Sequence, residues 1–264
     1  MKAFATRKGM AVDVARIQRA IAGVAAMVVI VAPTAAAQDE GWSSMVELNA
    51  TTLFGASSQT LASLATGAKH KGEGFTADMS ARFRYGESED QQSVKFVSAR
   101  GWAVSASLDA TPKGRISPFL LGTAEASLEK RIARRTSGGV GVKWEFAHSN
   151  TGSASISVAA LGERTKPLSD SAVVVSTLAR QSWRLKIDQK VDDRLKLTHA
   201  TFYSPVFNSP SQYTVTTSSV ASYAVTRAVA FTLTFTDNYD SQARSRGARS
   251  NSDGSVLAGI RANF

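Results

Sequence analysis

The chain has 264 residues, no cysteine and three histidines, and its formal net charge is +10. The lack of cysteine excludes a disulfide framework, a thiol nucleophile and a cysteine metal site. The histidines, His70, His148 and His199, lie far apart and form none of the usual ligand spacings, so the sequence predicts neither a metal nor a cofactor.

Residues 1–37 have the features of an export signal. Five basic residues precede an uncharged stretch, residues 20–37, that ends in three alanines. Its apolar part before Pro33 covers only 13 residues, too short for a helical anchor across a bilayer of about 30 Å. We predict a cleaved signal peptide, 1–37, and a mature domain, 38–264. Cleavage leaves 26 basic and 20 acidic residues, a net charge of +6, so nucleic acid is not a required partner.

The mature chain repeats one pattern, in which apolar and polar residues alternate. In FTADMSARFRY, residues 75–85, the odd positions are apolar and the even positions include Asp78, Arg82 and Arg84. A period of two predicts a β-strand with one apolar and one polar face. Turn signals divide the chain into about twelve such segments, near residues 42–54, 58–69, 72–86, 92–108, 115–131, 136–147, 152–163, 171–189, 194–204, 212–224, 228–240 and 252–264.

These segments favour a barrel in a membrane over a sandwich of two sheets. Their apolar rows are almost free of charge, and each segment is long enough for a tilted membrane-spanning strand. If successive segments run up and down across the membrane, the aromatic residues gather at two rims. One rim holds Trp42, Phe75, Trp144, Phe146, Tyr223 and Phe264, and the other holds Phe54, Phe83, Tyr85, Tyr213 and Tyr239. We predict an all-β fold, a transmembrane antiparallel up-and-down β-barrel of about 12 strands, with 10 as the alternative, in the bacterial outer membrane.

The polar rows predict a charged barrel interior. Eight basic and six acidic residues are expected to line the lumen: Glu47, Asp78, Arg82, Arg84, Lys95, Glu125, Glu129, Lys143, Glu145, Arg180, Arg184, Lys186, Asp188 and Arg261. Such a mixture fits either ion pairs that fill the lumen or a narrow aqueous path with a mild preference for anions. Both interpretations stay open at this point, and neither selects a solute.

Two charged residues interrupt the apolar rows. Arg100 has the apolar parity of its segment, and Asp237 lies between Phe235 and Tyr239. Because a charge facing lipid at mid-depth costs about 2 to 4 kcal/mol, we expect a bulge or a register shift near Arg100. Asp237 is expected near the outer rim, where the cost is small.

Catalysis is the alternative function, and its candidate is His199. Ser204 lies on the opposite face of the same predicted strand, so these two residues cannot form a dyad, whereas a serine on a neighbouring strand could. Outer-membrane lipid or lipopolysaccharide would then be the substrate. The run GGVGVK, residues 138–143, lacks the spacing of a phosphate-binding loop, and we interpret its glycines as permitting close packing in the sheet. Our leading prediction is a barrel that is not an enzyme.

Arginines cluster in two predicted outer connections, residues 131–139 and 241–253. Facing outward, they would pair with the phosphates of lipopolysaccharide; alternatively they only keep the connections solvated. The arginines are Arg131, Arg134, Arg135, Arg244, Arg246 and Arg249.

From residue 42 to its end, the chain resembles the YdiY-like family of salt-induced outer-membrane proteins. The resemblance rests on Trp42, GASSQT at 55–60, GGVGVKWEF at 138–146, LTHATFYSP at 197–205, FTLTFTDNYDSQA at 231–243 and the final GIRANF. It implies an outer-membrane barrel with a role in envelope integrity or osmotic stress. The terminal Phe264 also resembles the signal that the outer-membrane barrel assembly machinery takes up. Outer-membrane lipid, lipopolysaccharide and that machinery are therefore the expected partners, and the oligomeric state stays open.

Overall fold

The computed structural model describes residues 41–53, 58–89, 94–110, 114–168 and 175–264. The predicted signal peptide, residues 1–37, lies outside the described residues, so its cleavage stays a prediction. Phe54 of the second predicted rim, and residues 55–57 of the GASSQT stretch, also lie outside them.

Twelve strands form one closed antiparallel sheet. Each strand pairs with its neighbours in the chain, and β1 also pairs with β12, which closes the barrel. The predicted all-β barrel is confirmed, with 12 strands rather than 10. The strands are β1 (Trp42–Leu53), β2 (Ser58–Lys71), β3 (Thr76–Glu89), β4 (Lys95–Asp109), β5 (Ile116–Ser127), β6 (Ile132–Ser149), β7 (Gly152–Pro167), β8 (Ser176–Lys190), β9 (Leu195–Val206), β10 (Ser209–Ala224), β11 (Val229–Asp240) and β12 (Ser252–Asn263).

One short helical turn interrupts this all-β pattern. A 3-10 turn, Arg244–Arg246, lies between β11 and β12 and ends at Gly247, whose φ of 89° suits glycine. None of the helical residues that the structure describes forms a helix long and apolar enough to cross a membrane.

Contacts between strands that are not neighbours identify the inside of the barrel. Arg135 of β6 donates to Asp240 of β11 at 2.9 Å, and Thr234 of β11 donates to Glu47 of β1 at 3.5 Å. In a closed sheet, side chains of such distant strands meet only through the interior. The rows that alternate with these residues therefore face outward. They expose large apolar side chains that include Met79, Phe83, Trp102, Leu120, Val140, Trp183, Leu233 and Ile260, as a lipid-facing surface requires.

The two rims of the barrel differ. We call the rim that holds the start of β1 and the end of β12 the terminal rim, and the opposite one the loop rim. The two longest connections, residues 168–175 and 241–251, join strand ends at the loop rim. Aromatic rings meet at both rims. The ring centroids of Trp42 and His70 lie 5.0 Å apart at the terminal rim, and those of Tyr213 and Tyr239 lie 5.4 Å apart at the loop rim.

A register shift in β4 lies next to Arg100 but does not change the face of this residue. Gly86 pairs with Ala99, but the next residue of β3 pairs with Val97, so Ser98 is an extra residue in β4. The predicted β-bulge is thus present two positions before Arg100, but the expectation that it would turn Arg100 away from the lipid side is wrong. Arg100 faces outward opposite Tyr85 near the loop rim, where the cost of an outward charge is small. The bulge also reverses the faces of the residues before it.

Candidate functional site

The barrel interior is crossed near the loop rim by a group of ion pairs. Arg135 is its centre: it contacts Glu125 at 3.1 Å, Glu163 at 3.7 Å and Asp240 at 2.9 Å. Arg180 contacts the other oxygen of Glu163 at 3.0 Å. Because β6 and β11 lie nearly opposite each other in the ring of strands, the contact between Arg135 and Asp240 divides the cross-section of the lumen.

Two connections at the loop rim join this group. Lys130 contacts Glu125 at 3.1 Å, and Arg246 contacts Asp240 at 2.6 Å and donates to the carbonyl of Lys130 at 3.3 Å. We call the whole set the loop-rim network; it consists of Glu125, Lys130, Arg135, Glu163, Arg180, Asp240 and Arg246.

A second bridge lies beside this network. Arg84 of β3 contacts Asp253 of β12 at 3.1 Å and Glu129, between β5 and β6, at 3.2 Å. These three groups belong to separate parts of the wall, so the contacts again run through the interior. Together the two sets of ion pairs narrow the loop-rim end of the lumen.

Closer to the terminal rim, the lumen holds further ion pairs. Arg261 donates to Glu47 at 2.7 Å, and Lys143 forms an ion pair with Asp109. Nine of the ten inward-facing carboxylates among the described residues have a lysine or arginine within 4.0 Å: Glu47, Asp78, Asp109, Glu125, Glu129, Glu163, Asp188, Asp240 and Asp253. The tenth, Glu145, contacts the His148 ring at 2.7 Å.

Arg82 and Arg184 differ from the other arginines that face the lumen. Neither has a carboxylate within 4.0 Å in the part of the chain that the structure describes. Arg184 donates to the Ser157 hydroxyl at 3.1 Å, and its guanidinium lies 5.8 Å from the ring centroids of both Phe119 and Phe202. Arg82 is exposed to the lumen. The uncompensated charge inside the barrel is therefore positive.

The lumen opens at the terminal rim into a recess. Its volume is about 470 Å³, and inward-facing residues at the ends of the strands, including Asp188, Lys196 and Ser222, form part of its wall. The turn at 191–194 also borders it. This recess lies on the side of the barrel away from the loop-rim network.

The structure places nearly all of the predicted lumen residues on inward rows. Inward-facing residues include Glu47, Asp78, Arg82, Arg84, Glu125, Lys143, Glu145, Arg180, Arg184, Lys186, Asp188 and Arg261. Glu129 lies in the connection between β5 and β6 and reaches Arg84. Lys95 differs: it precedes the bulge in β4, pairs with Glu89 and lies on the outward row near the loop rim. That these residues line a solute path stays a prediction.

Several inward residues were not predicted. Asp109, Glu163 and Asp240 hold the basic side chains described above. Asp240 shares the parity of Thr232 and Thr236 in β11, so continuing the inward row of FTLTFTDNYD to its last residue would have found it. Ion pairs across the lumen, in contrast, left no signal in the sequence.

The predicted outward arginine clusters are only partly correct. Arg135 and Arg246 belong to the loop-rim network inside the barrel, and the Arg249 guanidinium lies 5.4 Å from the Phe96 ring centroid. Arg134 does face outward, because it alternates with Arg135 along β6 and pairs with Lys166. The prediction missed that residues 132–139 extend β6 rather than form a connection.

The histidines lie in three strands. His70 and His148 are near strand ends rather than in turns, and His199 faces outward within the span of β9. His199 Nδ1 lies 2.8 Å from the Ser219 hydroxyl on β10, and its Nε2 lies 3.0 Å from the Thr201 hydroxyl. A serine of a neighbouring strand therefore does meet His199. Among the described residues, no three side chains of the metal-ligating types are grouped as a metal site requires.

The glycines of GGVGVK have two different environments. A Cβ atom at Gly139 would overlap the Ala160 carbonyl oxygen, and one at Gly141 would lie 2.6 Å from the Phe119 ring. Close packing therefore explains these two inward glycines. Gly138 faces outward, and a Cβ there would meet no atom closer than 3.6 Å, so packing does not require glycine at this position.

Comparison with family models identifies a family to which no activity is assigned. A family model described as "Protein of unknown function, DUF481" matches residues 46–260. This match to a family without an assigned activity is consistent with the resemblance found in the sequence. A search of curated proteins found no match.

Solved structures with a similar fold are outer-membrane barrels. The translocator domain of the autotransporter NalP from Neisseria meningitidis is 11% identical, with 94% of this chain and 98% of that chain covered and a TM-score of 0.46. The NanC porin is 11% identical, with 83% of this chain and 98% of that chain covered and a TM-score of 0.49. An outer membrane channel from Pseudomonas putida F1 is 9% identical, with 88% of this chain and 98% of that chain covered and a TM-score of 0.47.

Proposed function

Because the chain belongs to the protein family of unknown function DUF481, which assigns no activity, we propose a function from the barrel interior. The protein is a narrow channel of the outer membrane that passes small solutes and prefers anions. The observation that carries this proposal is the uncompensated positive charge of Arg82 and Arg184 in a lumen where nine of the ten described carboxylates contact a lysine or arginine.

Three features support the membrane location. The outward rows expose aliphatic and aromatic side chains all around the sheet, and a closed sheet leaves no unpaired strand edge in hydrocarbon. The predicted export signal would carry the chain through the inner membrane. Outer-membrane barrels have short periplasmic turns and longer external loops, so we assign the loop rim to the cell exterior.

Anion preference follows from the electrostatics of a narrow path. A fixed charge in a channel with low-dielectric walls attracts mobile ions of the opposite sign and repels those of the same sign. Paired charges contribute little to this field because their potentials nearly cancel at a distance. Arg184 is also held in place by two aromatic rings and Ser157, so its charge has a defined position in the wall.

The loop-rim network limits which solutes pass. Its central pair is almost fully buried, with 8% of Arg135 and 3% of Asp240 exposed, and this pair joins opposite walls of the barrel. Only small solutes fit past such a constriction. A restricted channel of this kind is compatible with the role under osmotic stress that the resemblance to the YdiY-like family implies.

Planar-bilayer recordings test the channel. We expect discrete conductance steps, and in a KCl gradient a reversal potential with the sign of an anion-preferring pore. Replacing Arg82 and Arg184 together by glutamine is expected to move the reversal potential toward zero. The matched control replaces Lys95 and Arg100, two exposed basic residues on the outward row of β4, by glutamine and is expected to change it little.

The outcome also separates the channel from a sealed structural barrel. A protein that is folded and inserted but gives no steps in any salt is a sealed barrel, and the channel proposal is then wrong. Steps that select cations, or that keep their selectivity without Arg82 and Arg184, would contradict the proposed role of these residues.

A second candidate function is hydrolysis of acyl lipids, which the contact between His199 and Ser219 favours. Ser219 Oγ would attack an ester carbonyl while His199 accepts its proton; the alcohol would leave with that proton, and water would then release the acyl group. We rank this function second because the backbone N–H groups beside Ser219 belong to the sheet ladder, so no donor is free for the oxyanion. Hydrolysis of labelled phospholipid or lipopolysaccharide that is lost on Ser219→Ala would establish it.

A further inference from the structure

The outward face of β6 and β7 carries three cations at the loop rim. Arg134 and Lys166 are directly paired across the two strands, and Arg164 lies two positions from Lys166 on the same face. We call these residues the cationic triplet. All three are exposed, and none has a carboxylate within 4.0 Å among the described residues.

Like charges placed this close repel one another. Paired residues of an antiparallel sheet have Cα atoms about 4.5 to 5.5 Å apart, and residues two apart on a strand lie about 7 Å from each other. Like charges directly opposite destabilise a sheet. An anion between the three side chains would relieve this repulsion, and a phosphate group is such an anion.

Below the triplet, the same strands present a strip of bare backbone. Gly122, Gly138 and Gly162 are paired in sequence across β5, β6 and β7, and all three face outward. A Cβ atom at any of them would come no closer than 3.6 Å to another heavy atom, apart from its chain neighbours. We call this region the glycine strip. Packing does not require glycine at these positions. The missing side chains leave a depression in the lipid-facing surface.

Farther from the loop rim, the outer wall contains an apolar groove of about 740 Å³. Its lining includes Leu120, Val140, Val158 and Ala160. Val158 and Ala160 belong to the same outward row of β7 as Gly162, Arg164 and Lys166. This row therefore passes from an apolar groove through bare backbone to clustered positive charge.

We propose that this face binds lipopolysaccharide by its phosphorylated, acylated anchor. The triplet fits a phosphate group, the glycine strip leaves room for the sugar ring that links phosphate and acyl chains, and the groove fits an acyl chain. Charge complementarity selects a lipid with more than one phosphate over a phospholipid with a single one. The inference relies on the assignment of the loop rim to the cell exterior, where that lipid lies, but not on conduction through the lumen.

Lipid binding to the purified full-length protein tests the site. Native mass spectrometry after release from detergent would follow titrations with bis-phosphorylated lipid A, with its dephosphorylated form and with phosphatidylglycerol. We expect lipid A to bind tightest and dephosphorylated lipid A to bind about tenfold more weakly, since charge-assisted contacts to phosphate are the strong ones. Equal affinity for lipid A and phosphatidylglycerol would overturn the proposal in favour of non-specific lipid contact.

Variants locate the binding face. Replacing Arg134, Arg164 and Lys166 together by alanine is expected to weaken lipid A binding by about tenfold or more. Arg164→Gln alone, which keeps a long side chain, is expected to weaken binding by a smaller factor. This single variant tests the site if the triple variant does not fold. Unchanged affinity in both would overturn the proposal.

Two further variants distinguish the site from a general charge effect. Gly138→Leu fills the glycine strip without changing charge and is expected to weaken lipid A binding. The control replaces three exposed cations at the terminal rim by alanine and removes the same charge as the triple variant; they are Lys71, Arg115 and Arg227. An equal loss of lipid A binding in this control would overturn the proposal. Conductance is recorded separately, so loss of lipid binding and absence of a channel remain distinguishable.

Discussion

The carboxylate of Asp240 is the group on which the loop-rim network depends most. It accepts hydrogen bonds from Arg135 at 2.9 Å and from Arg246 at 2.6 Å, and only 3% of its side chain is exposed. Asp240→Asn keeps the shape and one oxygen acceptor but removes the charge. Two guanidinium groups then compete for one neutral amide oxygen.

The expected loss of stability can be bounded from these contacts. Removing one partner of a buried ion pair typically costs about 3 to 5 kcal/mol, because it leaves a buried charge uncompensated. Arg135 keeps Glu125 at 3.1 Å and Glu163 at 3.7 Å. Arg246 keeps the carbonyl of Lys130. We therefore expect the lower end of that range, about 3 kcal/mol.

Urea unfolding in lipid vesicles, followed by tryptophan fluorescence, measures this loss. The matched control is Asp193→Asn, because Asp193 is 98% exposed and contacts Lys190 at 3.0 Å; an exposed pair contributes about 0 to 1 kcal/mol. Release of Arg246 should also widen the loop-rim end and raise single-channel conductance. An unfolding free energy for Asp240→Asn within about 1 kcal/mol of the parent would refute the idea that the network holds the barrel together.

Three other substitutions test separate features. Gly139→Ala forces a Cβ onto the Ala160 carbonyl and is expected to lower the unfolding free energy by about 2 kcal/mol. Its control, Gly138→Ala, places the Cβ in open space and should change the unfolding free energy by less than about 0.5 kcal/mol. Urea unfolding measures both variants. Hydrogen bonds from the N–H groups of Arg194 and Leu195 hold the pKa of Asp192 below its usual value. The stability that these bonds give the turn is therefore complete above about pH 4 and is lost as the pH falls through the lowered pKa. Hydrogen exchange of the two amides measures this pH dependence, and Asp192→Asn should remove it. Deletion of Phe264 should slow assembly into membranes, measured by pulse-chase heat-modifiability, and an unchanged rate would argue against its role as the assembly signal.

The alternation of side chains was sufficient to predict the strands. In FTADMSARFRY, Phe83 faces outward and Arg84 faces inward, as the period of two requires. This works because a strand has only two faces, so local sequence fixes the face of each residue once one is known. The strand number, about 12, followed from the count of such segments, and closure followed from the need to pair every backbone group of a sheet in lipid; the structure confirmed both.

The same rule failed wherever a strand was not regular. Lys95 was predicted inward, but the extra residue Ser98 reversed its side. Arg135 was predicted in an external connection, whereas β6 begins at Ile132 and places it inside. A bulge or a strand end is decided by pairing with a neighbouring strand. The parity of Arg100 indicated an irregularity in β4, but it did not identify Ser98 as the extra residue.

The sequence alone determined that this chain forms a sheet with one apolar and one charged face, since that property belongs to each strand separately. Only the tertiary structure decided which charges meet. Arg135 reaches Asp240, which lies 105 residues away in the sequence. Arg82 is left without a carboxylate, because closure of the sheet brings the carboxylates of the lumen to other basic side chains. Charge compensation depends on distances through the lumen, which exist only after β1 and β12 have paired.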